Sequence, residues 1–195
     1  MAKLVDMTKL AAYLQLAKGS TEDDPVLEAM NEAISSFIQR HCDRTFANTS
    51  YTEYYDILEH GQDELCLNQW PVTNATDAAF KVYSISWADG SETATELTKN
   101  EDYWAYAAEG LIKFAASRGQ GRKRIKVEYQ AGYATIPEDI QQIVLQWCGR
   151  RWMERKHIGK ASDATPAGGS VTYNQPDLTP EEYAVLDAYR RAELC

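Results

Sequence analysis

The side chains capable of acid–base, nucleophilic or metal chemistry are spread along the chain rather than grouped. Its three histidines stand apart from one another. His41 and Cys42 are adjacent, but neighbouring residues on a helix diverge by about 100° and do not form a dyad. The four cysteines are spaced too widely for a zinc knuckle or a redox pair, so we expect reduced thiols. Gly-rich phosphate loops, HExxH and GxSxG are absent. We predict no enzymatic activity, no cofactor and no metal.

One short run is strongly basic. Residues 118–126, RGQGRKRIK, hold five cations and no acid, although the whole chain has a net charge of −9. A solvated hairpin loop is the simplest interpretation. The functional alternatives, which the sequence leaves open, are contact with phosphates and pairing with an acidic neighbour in an oligomer. The candidate residues are Arg118, Arg122, Lys123, Arg124 and Lys126.

Composition excludes several classes of protein. With 195 residues and 44% hydrophobic content, the chain can bury a globular core. Because it is acidic, its surface as a whole cannot clamp nucleic acid, and any DNA contact must be local or transient. No apolar run reaches the ~18 to 20 residues of a membrane span. Without a signal peptide before the first predicted helix, we expect a soluble protein made in a cytoplasm, with no membrane partner.

Helical periodicity predicts three core helices. The first covers residues 8–18, with Thr8 as its cap. The second covers residues 25–44 and places His41 on its apolar side, where we expect a bond to a backbone carbonyl. The third covers residues 138–157, after Pro137 and with Glu138 and Asp139 in its first turn.

The second and third helices carry the two longest apolar stripes, so we predict that they pack against each other. Trp147 and Trp152 lie on the stripe of the third helix and are expected to fill the core.

Residues 49–133 form short runs typical of strands, separated by Gly, Asn and Asp. The predicted fold is therefore α+β, a helical core of two to three helices plus a C-terminal helix, with a small antiparallel β-sheet inserted. Most aromatic residues of this insert should pack within the sheet, and an exposed few could form a contact between subunits.

The last part of the chain is expected to be an arm attached to a domain at residues 1–158. Residues 159–179 are rich in Gly, Pro and Ser and predict a flexible linker, and Thr179-Pro180 begins a short helix. This helix either folds back on its own core or binds a neighbouring subunit. For the binding alternative the contact residues are Tyr183, Leu186, Tyr189, Arg190 and Arg191.

Three stretches carry a family resemblance. They are the N-terminal pair of helices, LNQWPVTNAT at 67–76, and VEYQAGYATIPEDIQQIVLQWCGRRWMERK at 127–156. Their order and spacing resemble the "L…PV" segment, "AGY" turn, proline-started helix and basic helix end of head–tail connector proteins (adaptor or head-completion proteins) of tailed bacteriophages.

The resemblance implies a structural protein of the virion, located at the head–tail interface. Such subunits form a ring of roughly a dozen copies beneath the portal protein, with heterologous contacts between neighbours. The ring would line the channel for double-stranded DNA, touch the DNA transiently, and meet tail-side stopper or tail proteins. The C-terminal helix would bind a neighbouring subunit or the portal. The alternatives are a tail-completion or stopper protein of the same machine, and a DNA-binding packaging regulator that uses the basic run.

Overall fold

The computed structural model describes residues 3–16, 24–59, 61–76, 78–88, 90–155, 162–164, 170–172 and 178–190. The chain forms two compact units. Met1–Asp43 and Ile136–Arg191 form a helical unit, and Arg44–Thr135 form a sheet unit. The fold is therefore α+β, with a β-rich insert between helices.

Four helices occupy the helical unit. They are α1 (Met7–Tyr13), α2 (Asp24–His41), α3 (Glu138–Glu154) and α4 (Pro180–Ala188). The prediction of Thr8 as the N-cap is wrong. The Asp6 carboxylate accepts a hydrogen bond from the Thr8 N–H at 2.7 Å, so Asp6 is the N-cap and α1 begins before Thr8.

The expected packing of the second helix against the third is confirmed, since α2 contacts α3. The Phe37 and Trp147 rings meet edge to face with centroids 5.1 Å apart. Trp147 and Trp152 are both buried, which confirms their assignment to the core. Arg151 lies over the Trp147 ring, so the basic end of α3 also covers apolar surface.

All strands of the sheet unit pair antiparallel, in two sheets of order β1-β7-β3-β4 and β2-β6-β5. One hydrophobic cluster contains residues of both sheets. The strands are β1 (Thr49–Ile57), β2 (Glu64–Cys66), β3 (Lys81–Ala88), β4 (Ser91–Glu96), β5 (Tyr103–Tyr106), β6 (Leu111–Phe114) and β7 (Gly121–Ala131).

The predicted linker contains a two-stranded sheet. Its strands β8 (Ser162–Ala164) and β9 (Ser170–Thr172) pair antiparallel. The expectation of a structureless stretch at 159–179 is therefore wrong for these six positions, because their backbone groups hydrogen-bond to each other.

The two stretches 67–76 and 127–156 meet in the sheet unit. The Gly132 N–H donates to the Pro71 carbonyl at 3.0 Å, and Val72 forms a β-bridge with Ala131. Gly132 has a φ of +117°, and a Cβ there would lie 2.5 Å from the Ala47 carbonyl oxygen. The turn therefore requires glycine for its backbone angle and for the close approach of another segment.

A buried arginine stands beside this turn. The Arg44 guanidinium lies 4.3 Å from the Trp70 ring centroid and 5.3 Å from the centroids of Phe46 and Tyr133. It also donates a hydrogen bond to the Trp70 carbonyl oxygen. Cation–π contacts of this kind are strongest in desolvated sites, and Arg44 is only 4% exposed.

A tyrosine pair fastens β1 and β7 to the loop after β2. The Tyr55 and Tyr129 hydroxyls both donate to the Glu53 carboxylate, Tyr129 at 2.7 Å. The same hydroxyl oxygens accept from the N–H groups of Asn68 and Gln69 at 3.1 and 3.2 Å. Burial raises the pKa of both tyrosines above their ordinary value, helped by Glu53 beside them.

This pair makes stability fall in alkaline solution. The unfolded tyrosines ionise near pH 10, whereas the folded ones, whose pKa is raised, keep their protons. Their contribution is complete below about pH 10 and declines above it by about 1.4 kcal/mol per pH unit for each group. Denaturant unfolding at several pH values should therefore show a shallower alkaline decline for Tyr129→Phe. The exposed control Tyr106→Phe should keep the wild-type slope, and equal slopes for all three proteins would contradict the assignment.

The α2–α3 contact gives a second prediction. Trp147→Ala should lower the free energy of unfolding by about 3 to 5 kcal/mol, because it removes a large buried ring and leaves a cavity. Trp87→Ala, at a position 50% exposed, is the matched control and should cost far less. Denaturant midpoints measure both. An unchanged midpoint for Trp147→Ala would show that this ring does not fill the core in solution.

Candidate interaction surfaces

The structure describes one histidine and three cysteines, which are His41, Cys42, Cys66 and Cys148. Among the described residues no three His, Cys, Asp or Glu side chains cluster as a metal site would require. Cys42 and Cys148 are buried thiols, and burial raises the pKa of Cys148 to about 12, so its thiol stays protonated at neutral pH. Cys66 is disulfide-bonded, contrary to the expectation of reduced thiols.

His41 has a different partner from the one predicted. Its Nε2 lies 2.9 Å from the Asp187 carboxylate of α4, whereas the sequence suggested a backbone carbonyl. Asp187 lies 146 positions along the chain, so no local pattern indicated the pair. The rings of Phe37 and Tyr183 lie beside the imidazole.

No helix in the described part of the chain has the length and apolar character needed to cross a membrane.

The basic run lies on the loop before β7 and on β7 itself, and two of its five cations have acidic partners. Arg118 lies 3.9 Å from the Asp102 carboxylate and 5.0 Å from the Phe114 ring centroid. Lys126 pairs with Glu128 at 2.7 Å. The second pair was visible in the sequence, since residues two apart on a strand share a face.

The other three cations have no ion pair with any described residue. Arg122 and Lys123 are exposed, and Arg124 is partly exposed. The Lys123 N–H donates to the Asp56 carboxylate at 2.7 Å, and its ammonium lies 5.7 Å from the Tyr54 ring centroid. These contacts leave the three charges available to a partner.

Large apolar side chains are exposed at the same end of the sheet. Leu58 is 74% exposed, Trp87 50% and Tyr54 41%. The pairing of Ser84 with Ile125 brings the end of β3 towards the start of β7, and the Tyr54 hydroxyl lies 3.5 Å from Glu92, which is opposite Trp87. No sequence pattern identified Leu58 as part of an interaction surface. Only the pairing of β3 with β7 shows that Trp87 lies at this end of the sheet. We call this the tip patch: Tyr54, Leu58, Trp87, Arg122, Lys123 and Arg124.

A second exposed surface lies on the smaller sheet. Trp104 and Tyr106 of β5 are 41% and 48% exposed. The ladder places Glu64, Lys113 and Trp104 in one cross-strand row, with a 3.1 Å ion pair between Glu64 and Lys113. Exposed acids precede β2 and lie on both sides of β5 in sequence. We call this the acidic aromatic face: Asp63, Glu64, Glu101, Trp104, Tyr106 and Glu109.

The C-terminal helix packs on the helical unit. Leu186 is fully buried, and α4 contacts α3. Arg150 of α3 donates to both carboxylate oxygens of Glu182 at 3.1 and 2.7 Å, and Glu182 also completes a capping box with Thr179.

The folded-back alternative for this helix is therefore the one observed, and Leu186 is not accessible as an anchor. The Tyr189 hydroxyl donates to Asp139 at 2.8 Å. Tyr183 is 36% exposed and Arg190 is exposed, while Arg191 lies outside the described residues. Binding by the exposed side of α4 stays a prediction.

A family model matches nearly the whole chain. The model of the family described as "Head completion protein" (HCP) matches residues 3–192. A comparison with curated proteins finds no match.

Three solved structures share the fold. A chain from the neck of an empty GTA particle, computed with C6 symmetry, has a TM-score of 0.62 and 16% identity, covering 100% of this chain and 95% of that one. A chain from the virion of a native gene transfer agent (GTA) particle has a TM-score of 0.58 and 16% identity, with coverages of 98% and 92%. A chain from the neck of a native GTA particle, computed with C12 symmetry, has a TM-score of 0.58 and 14% identity, with coverages of 100% and 94%.

The docking of α4 can be tested by stability. Leu186→Ala should cost about 2 to 5 kcal/mol, because a fully buried leucine is truncated. Tyr183→Ala on the exposed side of the same helix should cost much less. Thermal unfolding of the two variants gives the comparison. An unchanged melting temperature for Leu186→Ala would mean that α4 is undocked in solution, as an independent arm would be.

Proposed function

We propose a function for this chain, which belongs to the head completion protein family. The chain is a structural, non-enzymatic subunit of the virion that connects the head to the tail. The match over residues 3–192 carries the proposal, because it includes most of both the helical and the sheet units. The virion neck is the proposed location.

The subunits form a ring beneath the portal protein. Two of the similar folds come from necks computed with C6 and C12 symmetry, which supports a cyclic arrangement. By analogy we propose roughly a dozen copies, each contacting the next through two different surfaces. The portal lies on one side of the ring and a stopper or tail protein on the other.

The ring lines the channel for double-stranded DNA. A net charge of −9 suits this role, since a wall that held phosphates firmly would slow the passage of the duplex. Arg118 and Lys126 are already paired with acids, so three cations of the basic run remain for DNA. The net negative charge of the chain argues against a packaging regulator that binds DNA tightly.

The exposed side of α4 is proposed to contact the portal or a neighbouring subunit. Tyr183 and Arg190 are exposed there, and Tyr189 is partly exposed. Tyrosine and arginine frequently provide most of the binding energy in protein interfaces. Leu186 supports this surface from inside the unit.

Electron microscopy of the purified chain, alone and mixed with its portal, tests the proposal. We expect closed rings with a central opening, stacked coaxially on the portal. Rings that bind only the tail-side protein would indicate a stopper. A monomer that binds duplex DNA with a steep salt dependence, and neither the portal nor itself, would overturn the structural role.

A further inference from the structure

We infer that the tip patch of one subunit docks onto the acidic aromatic face of the next, and that this contact closes the ring. The inference rests on the proposed function, because it identifies the two surfaces that neighbouring copies use. Both surfaces belong to the sheet unit.

The composition of the tip patch favours a protein partner over DNA. Backbone phosphates are bound by cations and hydrogen-bond donors, and they provide nothing for exposed apolar side chains. Yet Leu58 and Trp87 are 74% and 50% exposed beside the three cations. Exposed Trp and Tyr together with Arg is the composition of the energetically dominant residues of protein interfaces. The partner should therefore offer both apolar surface and negative charge.

Pairing of the tip patch with a second tip patch is unfavourable. Arg122, Lys123 and Arg124 have no ion pair with a described residue, and facing the same three charges would be repulsive. A symmetric, two-fold contact is therefore disfavoured. A contact between two different surfaces remains, and this is the type that a cyclic ring requires.

The acidic aromatic face has the complementary properties. It presents Trp104 and Tyr106 as half-exposed aromatics, as the tip patch presents Tyr54 and Trp87. Its four acids have one described basic partner, Lys113, which pairs with Glu64. The remaining negative charge can meet the three cations of the tip patch. Because the two patches are on one chain, every copy offers both halves of the contact.

A charge-swap experiment on the full chain tests the contact. The tip variant is Arg122→Glu with Lys123→Glu, and the face variant is Glu101→Lys with Glu109→Lys. Each should abolish rings or raise the concentration for assembly at least tenfold, since like charges then meet at every contact. The chain carrying all four substitutions should regain rings, because each reversed tip meets a reversed face. Sedimentation velocity over a concentration series and negative-stain images provide the readout.

Two further variants accompany the charge swap, and the first of them is a control. Arg40→Glu reverses an exposed cation in the last turn of α2 and should leave assembly unchanged. Trp87→Ser removes the exposed ring without changing charge and should weaken assembly. Thermal unfolding should show that every variant is folded.

The possible failures separate the contact from the ring. Wild-type rings that persist in the tip and face variants would overturn the contact and leave the ring intact. A tip variant that assembles normally but loses duplex binding would place the tip patch against DNA instead. Failure of the fourfold variant to regain rings, although it is folded, would contradict the pairing of these two surfaces. A wild-type chain that stays monomeric at all concentrations and on the portal would contradict both proposals.

Discussion

The buried Arg44 guanidinium, enclosed by Trp70, Phe46 and Tyr133, holds together the place where the chain enters and leaves the sheet unit. A cation in such a site loses hydration, and the aromatic faces and the Trp70 carbonyl offset that loss. Gly132 completes the same place by letting the backbone of Ala47 approach more closely than any side chain would permit. Packing therefore brings together parts of two stretches that resemble connector proteins, Pro71–Val72 and Ala131–Gly132.

The two ends of β7 have different surroundings. One end lies beside the buried contacts of Arg44 and Gly132, and the other end carries the tip patch. β7 ends beside Gly132 and begins at Gly121, so its length of 11 residues carries the tip patch roughly 33 Å from the junction. The Tyr55–Tyr129–Glu53 network ties β7 to its neighbours along the way. Exposed apolar residues are tolerable at the far end because the core of the unit does not depend on them. A surface with this separation can change its partner without changing the fold.

The sequence predicts what depends on local periodicity. The strand-like runs of residues 49–133 indicated the sheet, and apolar spacing indicated α2 and α3, because such patterns lie within one element. Contacts between distant segments were not predictable in the same way. Arg150 and Glu182 are 32 positions apart, and His41 and Asp187 are 146 apart, so neither pair has a local signature. In the basic run the same holds for Arg118, whose partner Asp102 is 16 positions away, whereas the Lys126–Glu128 pair is local.

The C-terminal helix shows why composition alone could not decide between an arm and a core helix. Its buried side is held by one fully buried leucine, a bidentate Arg150–Glu182 pair and the His41–Asp187 contact. Part of its docking on its own unit therefore depends on specific polar partners that a count of apolar residues does not register. Its other side keeps Tyr183 and Arg190 exposed. A helix fixed in this way presents its outer residues in one orientation, so a partner would bind it without the entropy cost of ordering a free segment. Docking on its own unit and binding to another protein are thus compatible roles for opposite sides of one short helix.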